Sequence, residues 1–271
     1  MNFAITAYII FVSYFDEKKS GIIWKQLHYW YFVPLIFLLF KELYLMVDPI
    51  RGIIYDDLLI KSDRFLFGAD PTHVLMKIAN PVLTEIMQIA YGTFFFLPVI
   101  LGINLVLKDK IEEFNYSAFI IVYGFVLSYI GYLLFPAIGP RFTLHNYEMN
   151  NVEMPGLFLT NYLREIVNSG ESIPMGTLHP ALIVQRDAFP SGHTQMTLLA
   201  MYLSVKFKSN TKYFIIPDGI LLIFATVYLR YHYVTDVLGG IVFMLLTIWS
   251  GKYIYSWWMN ITSSYKIIRN F

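Results

Sequence analysis

His232 and Asp236 stand four residues apart, a spacing that puts two side chains on one face of a helix. If a helix begins there, the carboxylate can hold the imidazole Nδ1–H and leave Nε2 free as a nucleophile or base. The same pair also suits a histidine at a membrane interface beside a helix-capping aspartate. A second set is Pro190-Ser191-Gly192-His193. Proline fits a first helical turn, glycine lets the backbone approach a ligand closely, and N–H groups at a helix start face anions, so this segment suits phosphate. It equally suits a capped helix with Ser191 as the N-cap. Three arginines complete the set: Arg141 after Gly139-Pro140, Arg186 ahead of the proline motif, and Arg230 ahead of His232. A guanidinium is a planar fork of donors that matches phosphate oxygens, although arginine near a membrane surface also anchors to headgroups.

The elements that must position these residues are apolar. Of 271 residues, 57% are hydrophobic, 18% aromatic and only 14% charged, against roughly 25% charged in ordinary soluble domains. A water-soluble globule of this size could not bury so much apolar side chain. A spanning helix needs about 20 mainly apolar residues. Such runs occur at Tyr29 to Val47, Thr84 to Leu107, Phe114 to Phe135, Tyr213 to Leu229 and Val234 to Trp258, with a shorter one, His193 to Phe207, able to lengthen upstream. The expected fold is therefore all-α: a single integral membrane domain over residues 1–271, a polytopic bundle of about six transmembrane helices. Ala4 to Phe15 is too short to span and reads as an interfacial segment. A net charge of +1 argues against nucleic acid as a partner, and the absence of cysteine removes thiolate metal sites and cysteine nucleophiles.

With six spans, eleven Lys or Arg gather on one compact face, including Lys18, Lys19 and Lys25, while eight lie on the other across longer loops. The positive-inside rule makes the first face cytoplasmic. Segments 136–141, 186–193 and 230–236 then emerge together on the non-cytoplasmic face. Between them, residues 142–180 form a long connection with a helix-like stretch from Gly156 to Asn168, suited to a lid or to an interfacial helix. Asp63 and Asp70 read as turn and cap residues. A transporter would need charges at mid-membrane and corresponding halves; Lys41 and Glu42 are the main mid-span charges, and no halves correspond.

Pro190-Ser191-Gly192-His193 and His232-x-x-x-Asp236 resemble the second and third signatures of the type 2 phosphatidic acid phosphatase superfamily. Its usual third-signature Ser-Arg is replaced here by Ala225-Thr226, with Arg230 one helical turn later, and Gly139-Pro140-Arg141 stands in place of the first signature. These departures, with Asp63-Arg64-Phe65-Leu66-Phe67-Gly68-Ala69-Asp70-Pro71, resemble the inositol phosphorylceramide synthase-like branch. The resemblance implies a lipid phosphate or phospholipid substrate and no metal or cofactor. It implies that His232 attacks phosphorus, Asp236 orients it and His193 protonates the leaving oxygen. Ser191, Gly192, Arg141, Arg186 and Arg230 would then hold the phosphate. Water as acceptor makes a lipid phosphatase; a second alcohol makes a phosphotransferase.

Overall fold

The computed structural model describes residues 2–18 and 21–269; Lys19, counted above on the Lys-rich face, lies outside them. The described residues contain helices and no strand. The chain divides into two compact units, Met1–Pro49 and Ile50–Phe271. The first holds α1 (Asn2–Lys18), α2 (Ile22–Trp30) and nearly all of α3 (Phe32–Ile50). Residues Ile22–Val47 are long and apolar enough to cross a membrane, whereas the apolar part of α1, Ile5–Phe15, is not.

The second unit carries every motif described above. It begins with α4 (Asp56–Phe67) and the short α5 (Pro71–Met76). Next come α6 (Pro81–Gly92) and α7 (Phe96–Leu107), bent by 51° at the break between them, and then α8 (Ile111–Leu134). At this break the Thr93 hydroxyl, with its single proton, lies 2.7 Å from the Ala90 carbonyl and 2.5 Å from Asp218 Oδ2, so the bend is lined by polar groups that bond one another in an apolar setting. The connection from 135 to 191 is a series of short helices, α9 (Pro140–Thr143), α10 (Asn150–Glu153), α11 (Thr160–Gly170) and α12 (Pro180–Ile183). Three helices close the unit: α13 (Gly192–Lys206), α14 (Lys212–Tyr228) and α15 (Val234–Arg269).

Three helices are long and apolar enough to span, four if the bent α6–α7 pair counts as one. The count of six is not reached on length and composition, because α13 has 15 residues and α14 has 17. The upstream lengthening expected for α13 does not occur: Phe189-Pro190 is non-helical and Ser191 caps the helix, its Oγ accepting from Thr194 N at 3.2 Å. α13 packs against α7, α8, α14 and α15, with Met196, Leu199, Ala200 and Leu203 fully buried. A helix so enclosed needs no lipid-facing apolar girdle, which is why its sequence carries Gln195 and Thr197 among the apolar residues.

Gly192 shows how tightly the start of α13 is seated. Its N–H donates to the Tyr132 hydroxyl, and an added Cβ would meet that oxygen closer than van der Waals contact allows. Gly192→Ala is therefore expected to destabilise the protein by about 1–3 kcal/mol. Adding Tyr132→Phe should recover part of that loss, measured as thermal unfolding in detergent.

Candidate active site

Backbone hydrogen bonds stitch the three motif segments together. Ala188 N donates to Ala137 O at 3.0 Å, Arg141 N to Arg230 O at 3.0 Å, and Ser191 N to Asp236 O at 2.9 Å. Buried carboxylates fix the same loops from outside. Asp56 and Asp63 lie seven residues apart on α4, two helical turns along one face. Asp56 accepts from the Ile138 and Gly139 N–H groups at 3.0 and 2.9 Å and from the Tyr233 hydroxyl at 2.8 Å. Asp63 accepts from Val234 N, Thr235 N and the Thr235 hydroxyl, capping α15, where a carboxylate also complements the helix dipole. Thus Asp63 is a cap, contributed by a distant helix; Asp70 instead pairs with Arg64 at 2.7 Å. Gly139 is required where it stands: φ is +90°, and a Cβ would lie 2.6 Å from Tyr231 O.

The residues so held line a narrow pocket formed by both histidines, Arg141, Glu171 and Asp187, with Tyr91, Tyr231, Ala188 and Ile138. His232 Nδ1 lies 2.9 Å from the Ala188 carbonyl, and Nε2 lies 3.4 Å from His193 Nδ1. A carbonyl only accepts, so Nδ1 carries the proton and Nε2 presents its lone pair to the pocket. Asp236 Oδ2 is 3.4 Å from Nδ1 and accepts from Tyr233 N at 2.8 Å. The orienting bond expected from Asp236 is thus made more closely by the Ala188 carbonyl, with the carboxylate behind it. Aromatic rings set the His193 plane: Tyr91 stacks on it at 4.5 Å and on Tyr231 at 4.3 Å, and the Arg141 guanidinium lies over Tyr231 at 4.7 Å.

Burial holds His232 down to about 4 from an ordinary 6.5; nearby Asp187 and the Ala188 carbonyl pull the other way, and Arg141 lowers it further. The ring is therefore neutral at pH 7. Above pH 6.5 both native and unfolded histidine are neutral, and this group contributes no pH dependence. Between about pH 6.5 and 4 the unfolded chain takes up the proton and the native chain does not. Unfolding free energy in detergent should consequently fall by about 1.4 kcal/mol per pH unit over that window. His232→Asn should remove this contribution to the slope.

The other residues expected to hold phosphate are distributed differently. Arg141 is 3% exposed; Nη1 donates to Asn168 Oδ1 at 3.0 Å and Nη2 is ion-paired with Glu171. Ser191 and Gly192 are buried, and their N–H groups donate to Asp236 O and the Tyr132 hydroxyl, so that helix start is satisfied internally. Arg186 Nη1 reaches the Arg51 carbonyl at 3.4 Å. Arg230 is fully buried and is not among the residues lining this pocket; it bonds Glu153 at 2.5 Å and Asn150 at 3.3 Å. Among the described residues no three His, Asp or Glu side chains are grouped to hold a metal ion.

The connection 142–180 closes over the site. Glu85 of α6 accepts from the N–H groups of Leu157, Phe158, Leu159 and Thr160 and from the Thr160 hydroxyl, so the helix starts at Thr160 rather than near Gly156. From there α11 delivers Asn168 and Glu171 to Arg141. Glu85, Asp56 and Tyr91 do not stand out in the sequence, and Glu171 is one of several charged residues in the 142–180 connection; a carboxylate inside the apolar stretch Pro81–Gly92 is the one available signal for Glu85.

The described residues thus form an all-helical bundle with three or four helices long and apolar enough to span a membrane, and a histidine pair beside a buried arginine. A family model described as PAP2 superfamily matches residues 58–250, well over half of the chain, and the chain belongs to that superfamily. Membership carries a phosphatase- or phosphotransferase-type function, and the long apolar helices make this an integral membrane protein. No curated protein and no solved structure matches the chain.

Proposed function

We propose that this chain is a lipid phosphatase that hydrolyses a lipid phosphate monoester or diphosphate through a phosphohistidine on His232, without a metal. The observation that carries the reading is the His232 Nδ1 bond to the Ala188 carbonyl, which aims the Nε2 lone pair into a pocket shared with His193 and Arg141. In the first step Nε2 bonds to phosphorus as the phosphorus–oxygen bond to the lipid breaks, and the departing oxygen takes a proton from His193. In the second step water attacks phosphorus and returns a proton to His193, releasing phosphate and free His232. Arg141 stabilises the charge on the non-bridging oxygens. By the Lys and Arg count, the pocket opens on the non-cytoplasmic face.

A second reading is phosphotransfer to another alcohol, as in the inositol phosphorylceramide synthase-like branch. It is favoured by an adjoining pocket that shares Arg141 and Tyr231 and is lined by Asn150, Asn151, Asn168 and Tyr147, with Glu148 and Arg164. Carboxamides and a phenol suit a hydroxyl-bearing acceptor. Protein in detergent, with chelator present, would be incubated with lipid phosphates, lipid diphosphates and phospholipids. Free phosphate supports the phosphatase; a new phospholipid without free phosphate supports the transferase. Turnover unaffected by loss of His232 would sink both.

A further inference from the structure

We infer that the Glu171 carboxylate occupies the phosphate seat of this site, so that substrate phosphate must displace it from Arg141; this rests on reading Arg141 as the phosphate holder. Carboxylate and phosphate present the same kind of paired oxygens to a guanidinium fork, and Arg141 has its fork engaged by Glu171 and Asn168. Glu171 also lines the histidine pocket, together with Asp187. A phosphate entering that volume meets a like charge already seated on its intended partner, and in a buried pocket both cannot be accommodated on one arginine. The arrangement permits exchange. The Glu171 backbone is anchored, its N–H donating to Val167 O at 2.9 Å and its carbonyl accepting from Gln185 N at 3.4 Å. The side chain is 17% exposed, in contrast to the 3% of Arg141, so rotation about its own torsions carries the carboxylate toward solvent without moving α11.

Glu171 is thus a specificity-determining residue. It lowers the apparent affinity for any anion by the fraction of molecules in which it vacates the seat. Only a ligand whose other contacts repay that exchange binds well, which discriminates a lipid-borne phosphate from free phosphate. The test is binding of inorganic phosphate to the full chain in detergent by titration calorimetry, a readout independent of turnover. Glu171→Gln, and Glu171→Ala as a variant unable to bond Arg141, are expected to lower the phosphate dissociation constant about tenfold or more if the seat is free in a tenth of molecules. Arg141→Ala should abolish binding. Equal or weaker binding in both Glu171 variants, with loss in Arg141→Ala, overturns the inference and makes Glu171 a positioning group for Arg141. Failure of every form to bind phosphate overturns the phosphate-seat reading as well.

Discussion

On the proposed mechanism, alanine at His232 is expected to lower kcat for lipid phosphate turnover by about 10⁴-fold or more, with KM changing little, because the variant lacks the atom proposed to bond to phosphorus. His193→Ala should behave differently. Loss of a general acid costs about 10² to 10⁴ with an alkyl leaving group, and much less with an aryl phosphate, whose leaving oxygen needs no proton. Turnover of alkyl and aryl phosphates by the two variants separates the roles. A His232 variant sensitive to the leaving group, beside a His193 variant that is not, would reverse the assignment. The comparison also has a geometric motive. His232 Nε2 lies 3.4 Å from His193 Nδ1, the ring centroids being 5.6 Å apart, whereas a nucleophile waits about 3–3.5 Å from the atom it attacks. The rings must part for phosphorus to enter, so both contribute to the shape of the site as well as its chemistry.

Asp56→Ala is expected to be the most damaging change outside the pocket. It strands the Ile138 and Gly139 N–H groups and the Tyr233 hydroxyl, all bonded to a carboxylate that is 2% exposed. Each buried donor left unsatisfied costs about 1–3 kcal/mol, so a total loss of about 3 kcal/mol or more follows. Activity should fall in the folded fraction too, since the Gly139 turn aims Arg141 and Tyr233 adjoins His232. The neighbouring Asp57, which is exposed, provides the control: Asp57→Ala should leave both thermal unfolding and turnover near wild type. Equal effects at the two positions would show that Asp56 acts through net charge on α4 and not through the bonds it accepts.

His193, His232 and Arg141 are legible in the sequence because polar residues with turn chemistry stand out against apolar spans, and span parity forces their loops to one face. The all-helical membrane fold follows from the same contrast. Asp56 and Glu85 are not legible as what they are, and Asp63 is legible as a cap but not as the cap of α15. Each caps a segment far away in the chain, and a bond from Asp56 to residue 138 or from Glu85 to residue 157 leaves no periodic trace. Arg230, one turn from the missing signature arginine, has a left-handed backbone, φ +68°, and its side chain bonds Glu153 and Asn150, partners that its place in the sequence does not announce. The count of six spans is not confirmed on length and composition, α13 and α14 having 15 and 17 residues, because hydrophobicity reports burial inside protein as readily as burial in lipid.

The backbone stitches 137–188, 141–230 and 191–236 form a closed circuit in which every segment is held by another. Residues 142–180 hang from that circuit between Arg141 and Arg186, outside all three stitches, and reach the pocket mainly through Asn168 and Glu171. Insertions, deletions and sequence drift in this connection can therefore reshape what is admitted to the pocket while the distance between the two histidines stays unchanged. Diversification of substrate is separated in the chain from preservation of chemistry, and loop exchange between relatives should transfer preference without rebuilding the reacting centre.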